Sequence, residues 1–176
     1  PQLPENIGMV ARAMDNFGLN KLYIVNPRAG WPNNLAIKSS ANSKKIILNA
    51  KIYNNLEKAL ESFNYVIATS NRRRFLNKPS HSNVNRLFTN FPKNKKVAIV
   101  FGPENSGLSN EDLMLADIIF TINTSKSNQS LNLSHAVLLM GYCWRDFFQR
   151  NKKLNNKNVI IEKKALNKDF LYFMNF

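Results

Sequence analysis

The 176 residues are 44% hydrophobic, enough for the core of one α/β domain, and no apolar run approaches the ~18 residues that span a membrane. Lys and Arg total 25 against 11 Asp and Glu, a net charge of +14, which points to a polyanionic partner: nucleic acid first, an anionic membrane surface second. One cysteine excludes an internal disulfide and fits a reducing cytoplasm, and the start carries no signal-peptide pattern. Abundant Asn, Lys and Ile offer a second source for the charge, an AT-rich coding bias, so the placement of the charges carries more than their total.

Ile7, Val10, Ala11, Met14 and Phe17 recur at helical spacing and Gly18 closes the run, which predicts an amphipathic helix over Glu5–Phe17. Asn6 lies in its first turn. Arg12 lies six residues on and off the apolar stripe, where a solvated charge is the usual outcome. Leu22–Val25 reads as a short strand ended by Asn26-Pro27, and 28–34 as a loop in which Trp31 is a packing anchor. Leu35–Ala50 begins as helix, and a second short helix follows over Leu56–Phe63. Tyr65–Ala68 is a buried strand that runs into Thr69, Ser70, Asn71 and then Arg72, Arg73 and Arg74. Ligands of open α/β sheets bind beyond the carboxyl ends of strands, and the arginine fork suits phosphate, so this run reads as a phosphate contact rather than a solvated turn. The loop continues through Lys78, Pro79 and His81, and its length implies mobility.

Val97–Phe101 is a continuous apolar run, the mark of a central strand, followed by Gly102 and Glu104. Ser109 with Asp112 has capping spacing and opens the next helix. Asp117–Ile122 is a further strand. After the loop 123–129, Ser130, Asn132 and Ser134 alternate with Leu131 and Leu133, a polar pattern that starts helices. The helix it opens runs over Leu133–Arg150, with Cys143 packed on its apolar face. Beyond Arg150 the composition turns Asn/Lys-rich, a linker, and Phe170–Phe176 is aromatic. Alternating strands and helices give an α/β fold with a mostly parallel sheet covered on both faces. There is no dinucleotide fingerprint and no P-loop, and His81, His135 and Cys143 are too scattered for a metal site.

Three stretches match as a set: Pro4–Arg12, Val100–Leu108 and Ser130-Leu131-Asn132-Leu133. In this order they resemble the three motifs of the SPOUT-class (SpoU/TrmH) RNA 2′-O-ribose methyltransferases, most closely the TrmJ-like tRNA methyltransferases. The resemblance runs from Pro4 to Asp146. It implies a methyltransferase domain over 1–150 with a deep C-terminal trefoil knot, a first strand upstream of the Glu5 helix, and the start of a C-terminal extension over 151–176. It implies S-adenosylmethionine (AdoMet) as cofactor, held by Thr69, Ser70 and Asn71, by Gly102, and by Ile122 with Ser130, Leu131, Asn132 and Leu133. Asn6, Arg12, Glu104, Ser130 and Asn132 match the catalytic positions, Arg12 acting across a homodimer.

The implied substrate is tRNA, at nucleotide 32, which opens the anticodon loop, with Arg28, Arg72, Arg73, Arg74 and Lys78 on the RNA. The implied setting is cytoplasmic, without metal or membrane. Alternatives are the same chemistry on another tRNA or rRNA position, or a non-catalytic RNA-binding protein of the same fold. In the reaction a ribose hydroxyl must be aligned with a methyl group and relieved of its proton. An arginine, with pKa ~12.5–13.8, is better suited to hold the adjacent phosphate and the developing alkoxide than to act as base. Ser130 then orients the hydroxyl, Asn132 fixes the loop, and Glu104 orients Arg12 or balances its charge.

Overall fold

The computed structural model describes residues 3–71, 78–89 and 95–155. Helix α1, Pro4–Asp15, starts with proline at its first turn, where no backbone N–H is missed. It buries Asn6, Ile7, Gly8, Val10, Ala11 and Met14, the face expected from their spacing. Strand β1 (Tyr23–Val25) follows, then helices α2 (Asn34–Ser39) and α3 (Lys44–Leu48) joined by a tight turn at Ala41–Ser43. Helix is present at Leu35, as expected, and it stops at Ser39. The Ser39 and Ser40 hydroxyls donate to the carbonyls of Leu35 (2.8 Å) and Ile37 (2.7 Å), and Ala41 takes φ +48°. Gly8 lets α1 and α2 touch: a Cβ there would lie 2.3 Å from the Ala36 carbonyl oxygen. Trp31 packs on the α1 cluster, as an anchor should.

Strand β2 (Lys51–Tyr53) pairs in parallel with β1, and α4 is Leu56–Leu60. Strand β3 (Tyr65–Thr69) is the buried centre of a second parallel sheet, with β4 (Ser80–His81), β5 (Val97–Val100) and β6 (Ile118–Phe120). The order is β4-β6-β3-β5, with Ile67 level with Ile99 on one side and Ile118 on the other. Helix α5 is Val84–Thr89, α6 is Asn110–Met114, and α7 is Leu133–Asn155. Helix α7 packs along α1 and, through Trp144 and Phe147, against Phe88 of α5. Val97–Phe101 was expected to be central, but β5 lies at an edge and is only half-buried; β1 and β5, each at the end of its own sheet, both line a cavity of about 920 Å³.

Three further readings change. The loop after β3 is not open throughout, because Ser80–His81 forms β4 against β6, a strand too short to show alternation. Lys78, expected on the RNA, spends its ammonium within the fold: it donates to the carbonyls of Met114 and Ala116, both at 2.6 Å, and closes the end of α6. Helix α7 also runs five residues past Arg150, since Asn151–Asn155 contains no glycine or proline to stop it. Arg72, Arg73 and Arg74, and the tail from 156, lie outside the described residues.

Candidate active site

The sheet order places β5 and β6 on opposite sides of β3, so the chain diverges at the carboxyl end of β3. Such a switch point leaves a crevice between outgoing loops. Side chains and backbone stitch the loops together. Thr69 Oγ1 donates to the Val100 carbonyl (3.0 Å), Ser70 N to the Phe120 carbonyl (3.1 Å), and Thr121 Oγ1 to the Ser70 carbonyl (2.8 Å). The Asn71 amide crosses to Thr124 Oγ1 (3.2 Å) and to the Gln129 carbonyl.

Between these loops lies a cleft of about 380 Å³, within the range of small-molecule sites. Thr69, Ser70 and Asn71 line one side, Gly102 and Glu104 another, and Ile122, Ser130, Leu131 and Leu133 the third. Asn132, grouped with them in sequence, stands behind the wall, where its carboxamide caps α7. Phe101, Pro103, Asn105, Gly107, Phe120, Gln129 and Ala136 complete the lining. Sequence reasoning named none of these seven as site residues. Phe101 and Phe120 end apolar runs and read as core, and Ala136 shows its place only once Asn132 is known to start α7.

Gly102 is forced by its own loop. The chain turns back at Gly107, where φ is +67° and N donates to the Pro103 carbonyl at 2.8 Å. A Cβ on Gly102 would lie 2.3 Å from Leu108 N. This turn leads into the Ser109–Asp112 capping box of α6.

A hydrogen-bonded group backs the cleft. Asn6 Nδ2 donates to Glu104 Oε1 at 2.7 Å, and Asn132 Nδ2 donates to Asn6 Oδ1 at 3.4 Å. Asn132 Oδ1 accepts from Ser134 N (2.9 Å) and Ser134 Oγ (2.7 Å). Thus Asn6, Glu104 and Asn132 meet although they are far apart in sequence, and Ser130 is exposed on the wall. Arg12 is not with them. It is exposed, about 9 Å along α1 from Asn6 and roughly 120° around it. Arg28 is exposed and lines the larger cavity beside β1.

Apolar walls with a few convergent polar groups suit a small ligand that is part ring, part polar chain. Burial, then Asp117, pushes the Tyr65 hydroxyl up; burial, then Asp146, pushes the Cys143 thiol up. Among the described residues, no three His, Cys, Asp or Glu side chains are grouped to hold a metal, and no helix is long and apolar enough to cross a membrane.

The family model described as SpoU rRNA Methylase matches residues 1–142. The tRNA (cytidine-2′-O-)-methyltransferase TrmJ of Methanocaldococcus jannaschii is 33% identical over 172 residues, 96% of this chain and 72% of that protein. The tRNA (cytidine/uridine-2′-O-)-methyltransferase TrmJ of Photorhabdus laumondii is 38% identical over 160 residues, 89% of this chain and 66% of that one. The crystal structure of TrmJ from Z. mobilis ZM4 superposes with a TM-score of 0.78 at 39% identity, covering 82% of this chain and 65% of that one. The chain spans between 65% and 72% of the length of these relatives.

Proposed function

The chain belongs to the SpoU rRNA methylase family, and from that premise we propose that it is an AdoMet-dependent methyltransferase acting on a ribose 2′-OH of tRNA. The observation that carries this reading is the single cleft that the β3, β5 and β6 loops enclose, with Ser130 on its wall and Glu104 anchored by Asn6. Its volume and mixed lining fit a cofactor with a ring and a polar chain. Bound AdoMet supplies an electrophilic methyl group on a sulfonium sulfur.

The chain's own residues supply alignment and charge. Ser130, exposed on the wall, orients the incoming hydroxyl. Glu104 contributes negative charge, and Asn132 fixes the loop by capping α7. Arg12 completes the site from a second copy, holding the phosphate next to the reacting ribose and the alkoxide as it develops. The homodimer buries the exposed face of α7 formed by Leu138, Leu139 and Tyr142. Tyr142 packs edge-on against Phe17 beyond the end of α1 (6.2 Å), and Met9 shares the outer side of α1 with Arg12. An apolar surface of this kind beside a site residue fits a twofold contact.

The finer reading carries the trefoil knot, the homodimer, a cytoplasmic setting, and tRNA nucleotide 32 gripped by Arg28 and Arg72, Arg73 and Arg74. Lys78, held by two carbonyls, is a weaker RNA contact than the arginines. A further parallel strand ahead of α1 belongs to the same reading. The cavity between β1 and β5 has room and edges for it, and such a strand would join the two sheets.

The test is transfer of labelled methyl from AdoMet to unmodified tRNA by wild type and Ser130→Ala, followed by mapping of the label. Ribose label at one anticodon-loop nucleotide, lost in the variant, is the expected result. Absence of both transfer and AdoMet binding in the wild type would overturn it in favour of RNA binding without catalysis.

A further inference from the structure

Ser134 was part of the polar pattern that starts α7, and the reaction as described leaves it without a task. It is buried, at 7% exposure, in the first turn of the helix. We propose that Ser134 is a positioning residue: through Asn132 and Asn6 it sets a one-way chain of hydrogen bonds that presents an N–H to Glu104 and keeps that carboxylate ionised in the cleft.

The direction of the chain follows from its first link. Ser134 offers two hydrogens to Asn132, from N at 2.9 Å and from Oγ at 2.7 Å. Only the carbonyl oxygen of a carboxamide can accept both, so Oδ1 must face Ser134 and Nδ2 must face away. Nδ2 then meets Asn6, which answers with its own Oδ1 at 3.4 Å. That leaves Asn6 Nδ2 for Glu104 Oε1 at 2.7 Å. Asn6 is 6% exposed, so water does not readily replace either bond. A proton on Oε1 would point at an N–H, so the arrangement favours the charged form.

The Ser134 hydroxyl matters because the backbone N–H alone is one donor for an oxygen with two lone pairs. Without it, the Asn132 amide turns more freely, and Asn6 loses its fixed sense. Glu104 is the only ionisable side chain on the cleft wall among the described residues. Among the described side chains, the ionisable groups on α1, α6 and α7 are Glu5, Arg12 and Asp15, Glu111 and Asp112, and His135, Tyr142, Cys143, Arg145 and Asp146.

The proposal places Ser134 in the methyl-transfer site and rests on that reading for its catalytic consequence. Its test therefore has a readout without turnover: the pH titration of the Asn6 side-chain amide resonance, which senses its Glu104 partner. Ser134→Ala is expected to move the acid midpoint up by about 0.5–1 pH unit, a ~3- to 10-fold gain in proton affinity, as one hydrogen bond's worth of bias is lost. The acid limb of the kcat profile for methyl transfer to tRNA moves up by the same amount, while Ser134→Thr, which keeps the hydroxyl, stays close to wild type. On the acid limb of that profile, Ser134→Ala is expected to lower kcat in the native background and to have no further effect in an Asn6→Ala background.

Asn132→Ala removes the N–H offered to Asn6 without adding a charge, so it moves the midpoint upward by a second route even if Ser134→Ala does not fold. A midpoint unchanged in both variants, or a full kcat effect of Ser134→Ala without Asn6, would overturn the proposal. A shifted midpoint with no methyl transfer by wild type would leave the relay standing and sink the methyltransferase reading instead.

Discussion

Replacing Gly102 with alanine tests whether the loop after β5 shapes the cofactor cleft. The added Cβ would lie 2.3 Å from Leu108 N, 2.4 Å from Gly107 C and 2.7 Å from Gly107 Cα. Ordinary carbon contacts lie at ~3.5–4.0 Å, so the returning backbone must move by about 1 Å. It cannot move freely, because Leu108 is buried beside Leu113 and the Gly107 N–H is bonded back to Pro103. Overpacking against fixed backbone costs roughly 1–3 kcal/mol. For a domain of this size that lowers Tm by roughly 2–10 °C. The displaced loop carries Pro103 and Glu104 into or away from the cleft, and an error of ~1 Å there is expected to weaken AdoMet binding at least ~10-fold. Isothermal titration of AdoMet and a thermal melt read both effects. Gly30→Ala is the control, since nothing lies within 4 Å of the Cβ it would add. Binding within twofold of wild type and an unchanged Tm in Gly102→Ala would refute the argument.

Other expectations follow from single features. Arg12→Ala and Ser130→Ala should each abolish methyl transfer, yet an equilibrated mixture should recover about a quarter of wild-type activity, because half of the dimers carry one intact shared site; a mixture that stays inactive would place Arg12 in its own protomer's site. Ser109→Ala removes the acceptor for Asp112 N (3.0 Å) in the α6 capping box and should cost about 1 kcal/mol in urea unfolding. The Cys143 thiol is pushed up by burial, so its folded pKa exceeds its unfolded one. Its contribution is then present below the ordinary thiol value of ~8.5 and lost as pH rises through the higher folded value. Cys143→Ala should therefore flatten the alkaline fall in stability, and identical urea midpoints against pH for the two proteins would argue otherwise.

Strands β3, β5 and β6 were legible from their apolar runs, Tyr65–Ala68, Val97–Phe101 and Ile118–Phe120; burial on both faces explains the run in β3 and β6, whereas β5 keeps it although half-buried at a sheet edge. The stripe of α1 and the capping residues of α6 and α7 were legible for an equally local reason: periodicity and caps are set by neighbours in sequence. Strands β2 and β4 were not, since three largely exposed residues and a two-residue bridge show no alternation. The three loops of the site could be named from motifs, and their C-terminal position on strands followed from the apolar runs that precede them.

What the chain alone determined is therefore a set of local structures and the residue types at their ends. Only the folded sheet decided that these ends meet, because the order β4-β6-β3-β5 brings three loops to one switch point. Local helix geometry already separates Arg12 from Asn6, which share a helix, but only packing joined Asn6 to Glu104, 98 residues apart. Helix geometry turns residues six apart away from each other, whereas a parallel sheet places distant strand ends side by side. Hydrogen-bond direction was decided there too: which way Asn132 and Asn6 face depends on two hydrogens from Ser134, and those act only once α1 and α7 are packed together.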